Sequence, residues 1–537
     1  MRKLEEGMDT EPSSLHSGRA VSSLAKIKQI VVSVFVGVIL IVLLWRFAYP
    51  STIYLSFFTD DFFYYAVVAK NLVRSGMSTF NGLHLTNGYH PLWLATIALL
   101  YWLSSALTQR TLPFFIAVVI LIWILIVGTY RALRATQIAF GFKEGSNAWI
   151  CALVSAVFMT VLSRTGMEIS LALFFLSLFW RRMAITALED QGPRQALASG
   201  LLASCAVLSR LDCLLAVAFY LALTSASLRR PTATVKPLIF FGAGLTPIPL
   251  YVLSNLLIFN TLLPISGMAK NLMPLGHPSG TTLARLLRFD TFNALFTWPS
   301  FALGVLFIVF GLQARREKKF ANNSRNRVLL CVLLHPVLFY TTLSFTSDWP
   351  VWTWYLYPLV PIIALLGPEV LSRISWTPSA PLRPAIAGFV LLLYACILAG
   401  TVRINPIAME LYSSALKVQN FAASHPGRYA MGDRSGTPAW LMDQPIVQME
   451  GLMEDRPFLD RIKHRENLIS ALQELHVDYY VSAGAVSDGS CFSFREPVWA
   501  GSRSPVMQGQ SCCPPLETFG EQYVTRIFDV HSFAAAQ

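Results

Sequence analysis

The sequence predicts a polytopic α-helical membrane protein, with about 11 transmembrane helices and a small C-terminal extracytoplasmic α/β domain. Three observations carry this. Hydrophobic residues make up 54% of the 537 and charged residues only 13%, roughly half the charge a soluble surface carries. Apolar runs of roughly 17 to 25 residues, long enough to cross a hydrocarbon core of about 30 Å, recur along the first three quarters of the chain. From about Arg403 the apolar runs shorten, charge rises, and helix and strand signals alternate.

Residues 1–28 read as a cytoplasmic tail, 29–402 as the membrane domain and 403–537 as the soluble domain. The first span, Gln29 to Ala48, is too long and too far from the start for a cleaved signal peptide, so it is expected to be a retained anchor. Later spans are expected at Thr111 to Tyr130, Asn147 to Ser163, Glu168 to Trp180, Ala196 to Leu208, Leu211 to Leu228 and Pro237 to Phe259. Four more follow at Thr291 to Gln313, Val328 to Phe345, Trp354 to Leu371 and Pro384 to Thr401. Pro91 to Leu107 is apolar as well, and charge decides its place. If it stays on the outer surface, the loops bearing Arg131 and Arg134, Arg181 and Arg182, Arg229 and Arg230, Arg315 and Arg316, and Arg373 and Arg383 share the side of the basic N-terminus. If it crosses, all of them move outward, against the retention of Lys and Arg in the cytoplasm. The expected arrangement is therefore a cytoplasmic N-terminus, an outer first loop over residues 49–110 with a juxtamembrane helix, and an outer C-terminal domain.

In that domain Arg428 to Met431, Pro445 to Met449, Val477 to Val481 and Tyr523 to Phe528 read as short strands, and Arg461 to Leu475 as a helix. Ser482 to Pro515, rich in Pro, Gly and Ser, reads as a long loop. Cys491, Cys512 and Cys513 offer a disulfide on an oxidising side, but three thiols leave the pairing open. The other five cysteines lie in apolar runs as packing residues.

The net charge of +12 is scattered in short clusters between apolar runs, which excludes a nucleic-acid surface and fits membrane topology. Chemistry is expected instead at Thr59-Asp60-Asp61-Phe62-Phe63-Tyr64-Tyr65, two adjacent carboxylates just after the first membrane-length run. Acids beside a bilayer lose hydration and mark sites that handle protons, ions or polar substrates. Neighbouring carboxylates repel, which raises one proton affinity toward the range of a working base.

The stretch Asp60-Asp61-Phe62-Phe63-Tyr64-Tyr65, then Asn71, Phe80-Asn81-Gly82 and Thr86-Asn87-Gly88-Tyr89-His90-Pro91-Leu92-Trp93, resembles the first outer loop of GT-C superfamily glycosyltransferases. Gly166-Met167-Glu168, Ser209-Arg210-Leu211-Asp212, Leu263-Pro264 with Lys270, Gly432-Asp433 and Glu450-Gly451-Leu452 are similar pieces. Leu211 departs from a pattern in which proline is common. The resemblance implies a GT-C-like membrane domain and a polyprenyl-phosphate-linked sugar donor. It also implies transfer to an extracytoplasmic glycan, lipid or protein acceptor in a cell envelope, at a bacterial inner membrane. Such transfer needs a base for the acceptor hydroxyl and cationic groups for the departing phosphate.

Asp60 is expected as base and Asp61 as its orienting or metal-binding partner, with the roles open to exchange. A divalent cation such as Mg or Mn is an open expectation, because two carboxylates alone do not complete a magnesium site. Tyr65, Tyr89, His90, Glu168, Arg210 and Lys270 are the expected substrate-binding residues, Lys270 as partner of the phosphate. Each has an ordinary alternative. Asp60 can cap a helix from Asp61 to Arg74. The tyrosines and Trp93 can belong to an interfacial aromatic belt. Asn87-Gly88 can be a turn, Glu168 can pair with Arg164 one turn away, and Lys270 can anchor to headgroups. His335, inside an apolar run, reads as a packed histidine, and the indole-rich turn Asp348 to Tyr355 as the donor's lipid gateway or an interface marker. A transporter or flippase of lipid-linked sugars, and a non-catalytic envelope assembly protein, are the competing classes. A transporter would place acids near the bilayer midplane and show internal repeats.

Overall fold

The computed structural model describes residues 52–143, 148–226, 231–274, 276, 278–288, 293–315, 324–373 and 405–536, with isolated positions in 37–48 and 389–396. Among the described residues three helical stretches are long and apolar enough to cross a membrane: Leu112–Ala139, Ser324–Thr346 and Thr353–Arg373. Val235–Gly244 and Pro247–Phe259, bent by 41°, add a fourth if the pair is one span. Shorter apolar helices occupy Pro91–Leu107, Ala148–Ser163, Cys213–Ser225 and Trp298–Val309. The chain is a membrane protein. Of the expected spans, Gln29 to Ala48 and Pro384 to Thr401 lie largely outside the described residues.

Sequence explains the departures from straight helices. The run expected at Pro237 to Phe259 breaks at Leu245 and Thr246, because Pro247 lacks the amide that would continue the ladder. Thr353–Arg373 begins as a 3₁₀ turn through Pro358, widens at a π turn over Ile362–Leu366 and ends as an α-helix. Helices Pro193–Ser209 and Pro231–Gly244 meet backbone to backbone: a Cβ at Gly200 would lie 2.2 Å from the Phe241 carbonyl oxygen, and one at Gly244 2.4 Å from that of Leu197.

Between residues 52 and 110 lie two α-helices. Asp60–Ser75 starts with its acids in the first turn and stops at Gly76, in the left-handed region at φ 71°. Pro91–Leu107 buries Trp93, Leu94, Ile97 and Tyr101 and leaves Leu99, Trp102, Leu103 and Leu107 exposed.

The C-terminal domain opens with helix Pro406–Ser424, capped by Asn405. Its main sheet has the order β2-β1-β3-β8-β7. β1 (Tyr429–Met431), β2 (Ile446–Gln448) and β3 (Tyr479–Ser482) run parallel, and β8 (Thr525–Asp529) and β7 (Glu517–Phe519) add antiparallel. Two sequence expectations fail here. The helix expected over Arg461 to Leu475 is two, Arg456–Lys463 and Leu468–Glu474. Arg465 takes φ 54° between them, and the Asn467 side chain accepts the amides of Ile469 and Ser470 to start the second. The loop expected over Ser482 to Pro515 contains a second sheet of β4 (Val486–Asp488), β5 (Cys491–Glu496) and β6 (Met507–Ser511), stapled by a Cys491–Cys512 disulfide. Cys513 stays a free thiol.

The C-terminal domain docks through Trp440, whose ring meets Phe63 of Asp60–Ser75, Tyr101 of Pro91–Leu107 and Phe114 and Phe115 of Leu112–Ala139 at centroid distances of 5.4 to 6.4 Å.

Candidate active site at the seam of membrane and outer domains

Asp60 and Asp61 occupy the first turn of one helix, yet their carboxylates have different surroundings. Asp60 does not cap its own helix: Thr59 holds the cap position without a side-chain bond. The Asp60 carboxylate instead takes the Gly436 amide at 2.9 Å, the Thr437 amide at 2.7 Å and the Thr437 hydroxyl at 2.9 Å. Burial lifts its proton affinity, and these three donors pull it back. Asp61 has no hydrogen-bond partner among the described residues. Burial lifts its carboxyl to about 6 against the pull of Lys270, with Asp60, Asp433 and Glu168 adding to the rise.

Asp61 lies where two cavities meet. The larger, of about 780 Å³, is lined by Asp60, Asp61, Lys270, Trp354, Asp433 and Glu450, among others. The smaller, of about 300 Å³, is lined by Tyr89, His90, Glu168, Arg210, Tyr355 and again Asp61 and Lys270. The Lys270 ammonium reaches the Tyr355 hydroxyl at 3.4 Å and makes no ion pair among the described residues. Burial works against its charge, but Tyr355, Asp61 and Glu450 outweigh burial and hold its proton affinity above the ordinary lysine value. A charged ammonium without a direct carboxylate partner, on the wall of a cavity, suits an incoming anion.

The smaller cavity rests on a buried charge network. Glu168 is paired with Arg210, whose Nε also meets both Asp212 oxygens at 3.0 and 3.1 Å. The guanidinium lies 4.9 Å from the Tyr355 ring centre and 4.8 Å from that of Tyr357, and the Tyr357 hydroxyl donates to Asp212 at 3.0 Å. Tyr65 donates to Glu168 at 3.3 Å, and His90 Nε2 is 3.7 Å from the same carboxylate. Burial, with Arg210 and Lys270 nearby, pushes His90 down to about 3, so it is a neutral imidazole, and its Nδ1 has no partner. Tyr89 shares its hydroxyl with Ser78 at 2.6 Å. Arg210 thus has its charge matched by Glu168 and Asp212, while Lys270 does not.

Neighbouring residues hold the walls in place. The Asn87 side chain donates to Thr261 at 2.9 Å and accepts the Ile265 amide at 3.0 Å, which seats the segment leading to Lys270. Gly88 lies so close to the outer domain that a Cβ there would be 1.9 Å from the Leu452 carbonyl oxygen. Asn81 donates to both oxygens of Glu454 at 2.9 Å. Asp348 accepts the amides of Arg503 and Ser504 at 2.9 and 3.2 Å, tying the indole turn to the outer domain. His335 is packed against Tyr357, its Nε2 3.4 Å from the hydroxyl.

Among the described residues no group of three His, Cys, Asp or Glu side chains is placed to hold a metal ion. The Asp60 oxygens are taken by amides and a hydroxyl, and Asp61 shares its cavity wall with Lys270, Asp433 and Glu450.

Asp433 and Glu450, noted in sequence only as motif residues, and Trp349 and Tyr355, read there as part of an indole-rich turn, line one or both cavities. Asp433 and Glu450 stood in recognisable short motifs, but their approach to Asp61 depends on the domain docking. No family model matches the chain, and no curated protein does. Similar solved structures include the Archaeoglobus fulgidus oligosaccharyltransferase tethered to an acceptor peptide. It is 13% identical over 84% of this chain and 68% of that one, with a TM-score of 0.45. The oligosaccharyltransferase AglB of the same organism, with an inhibitory peptide and a dolichol-phosphate, is 11% identical over 85% and 70%, with a TM-score of 0.47. The arabinofuranosyltransferase AftD from Mycobacteria is 16% identical over 93% of this chain and 39% of its own, with a TM-score of 0.47. At such scores the likenesses assign this chain neither an activity nor a residue's role.

Proposed function

We propose that the chain is a GT-C-like membrane glycosyltransferase that moves a sugar from a polyprenyl-phosphate-linked donor to an extracytoplasmic acceptor, with Asp61 as general base. The observation that carries this reading is the arrangement at the junction of the two cavities, an uncommitted carboxylate facing a charged and unpaired Lys270. Asp61 takes the proton of the acceptor hydroxyl while that oxygen bonds the anomeric carbon. The bond from that carbon to the phosphate oxygen breaks, and its electron pair leaves with the polyprenyl phosphate. Lys270 stabilises the growing phosphate charge. The proton on Asp61 then passes to solvent.

This exchanges the roles expected from the sequence, because Asp60 is engaged by Gly436 and Thr437. Glu168, Arg210, Asp212, Tyr65 and His90 act as the rigid wall of the donor cavity. Tyr89 shapes its loop. The eleven-span topology, with the N-terminus cytoplasmic and the C-terminal domain outside, places this junction at the membrane's outer edge. There a flipped lipid-linked donor is the available sugar source. The domain limits 29–402 and 403–537 belong to the same reading.

The test is release of polyprenyl phosphate from a panel of polyprenyl-phosphate sugars by the purified protein, beside Asp61→Asn and Asp60→Asn. Loss of release in folded Asp61→Asn is the expected result. No release from any donor, with a crude envelope extract supplying acceptors, would turn the reading toward a transporter or an assembly protein.

A further inference from the structure

The wall of the larger cavity carries three buried polar atoms with no partner among the described residues, on Thr165, Trp349 and Glu450. Glu450 is 3% exposed; its Oε2 accepts from Gln448 at 3.1 Å, and its Oε1 is unmatched. Trp349, 5% exposed, has an unmatched indole N–H. Both residues line the cavity. A buried acceptor and a buried donor left open in one wall are costly unless a ligand completes them. Burial, with Asp433, Glu496 and Asp61 adding, raises Glu450 well above the ordinary carboxyl range. A carboxyl shifted in that direction can donate its O–H as well as accept.

The remaining lining narrows the ligand's chemistry. Trp352 and Trp354 stack at 5.9 Å and 18°, and Trp499 from the outer domain meets Trp352 edge-on at 5.4 Å. Trp499 belongs to the soluble domain, so it is not one of a span's interfacial anchors. Flat indole faces match the apolar C–H faces of sugar rings. Paired donors and acceptors match vicinal hydroxyls. Asp60, Asp61, Asp433 and Glu450 line the same cavity beside apolar residues such as Phe57, Phe58 and Leu411, and carboxyl groups of this kind suit the hydroxyls of a saccharide.

We propose that the larger cavity is a saccharide acceptor subsite, with Glu450 and Trp349 hydrogen-bonding acceptor hydroxyls and Trp352, Trp354 and Trp499 forming its stacking wall. This rests on the glycosyltransferase reading and names its acceptor class as a glycan. Glu450 is a specificity-determining residue that orients a hydroxyl toward Asp61, and it is not the base.

The experiment is a donor-free titration of the full chain in nanodiscs, followed by tryptophan emission. The probes are neutral tri- and tetrasaccharides of glucose, mannose, galactose and arabinose, a lysophospholipid and a neutral peptide. At least one saccharide should shift the emission saturably. Glu450→Ala should weaken that binding about tenfold or more, as expected for losing a buried hydrogen-bond partner, while Glu450→Gln, which keeps a donor and an acceptor, should stay within about threefold. Trp499→Leu, at an exposed position that folding tolerates, should weaken it as well. No shift with any saccharide, unchanged affinity in Glu450→Ala, or a saturable shift with only the peptide or the lipid would overturn the proposal. Because no donor is present, these outcomes are separate from polyprenyl phosphate release, on which the transferase reading stands or falls.

Discussion

Asp60 holds Thr437 by both its amide and its hydroxyl, at 2.7 and 2.9 Å, so one carboxylate oxygen joins the first outer loop to the C-terminal domain. Replacing Asp60 by Ala leaves the Gly436 and Thr437 amides without their acceptor. A hydrogen bond to a charged group contributes about 1.5–3 kcal/mol, and Asp60→Ala is expected to destabilise the docked state by about that much or more. Hydrogen exchange at residues 436 and 437 should accelerate, with Asp60→Asn intermediate. Unchanged exchange would show that the docking does not depend on this acid.

Asp61→Asn should act oppositely. Its carboxylate has no hydrogen-bond partner among the described residues, so the thermal unfolding midpoint should hardly move. Transfer should fall by about 10²- to 10⁴-fold, the usual contribution of a general base. If Asp60→Asn were the silent chemist and Asp61→Asn remained active, the assignment of roles would be reversed.

The pH profile carries a sign. Asp61, lifted to about 6, works as a base only when ionised, so kcat/KM should fall below that pH with the slope of one proton. Lys270 holds the Asp61 proton affinity down. Lys270→Met should therefore move the acidic limb to higher pH, besides weakening turnover. A limb that stays in place would mean another group is being titrated.

Stability should vary with pH through the outer domain. Burial raises Glu454 and Glu496 from 4.5 to about 8. Between those values the folded state binds more protons than the unfolded one, so stability is full below about 4.5 and is lost as pH rises through about 8. The unfolding midpoint should drop between pH 5 and 9. Glu454→Gln and Glu496→Gln should each flatten the dependence; a variant that kept the full slope would remove its residue from this account.

Arg210 is buried between Glu168 and Asp212, and Arg210→Gln strands both acids. Breaking a buried ion pair from one side typically destabilises by about 3–5 kcal/mol. Glu168→Gln added to Arg210→Gln should restore part of that, as read by chemical unfolding. No recovery in the double variant would mean that the two side chains are not coupled.

Much of the membrane domain was legible because helix formation there follows local apolarity, as Leu112–Ala139 and Ser324–Thr346 show. The strands β1, β2, β3 and β8 were readable within one or two residues because each is a short apolar run. The sheet of β4, β5 and β6 was not: β4 is exposed at all three positions, so it carries no hydrophobic alternation, and a disulfide does the holding. The acidic pair drew attention by its place in the chain, whereas the division of labour within it did not, since Gly436 and Thr437 are remote in sequence. Glu168 shows the same limit. Arg164 is its near neighbour in sequence, across the turn between two helices, and the fold brings Arg210 to it from 42 residues away.

The near-contact of Gly88 with Leu452 bears on biosynthesis. The loop that carries Asp60 is translated 376 residues ahead of its partner Gly436. Both cavities take part of their lining from the later segment. A nascent chain that had not yet reached it would carry the acidic pair without part of the enclosure that raises Asp61. Arrival of that later segment would therefore switch the chemistry on, with chains that lack it inert in the bilayer.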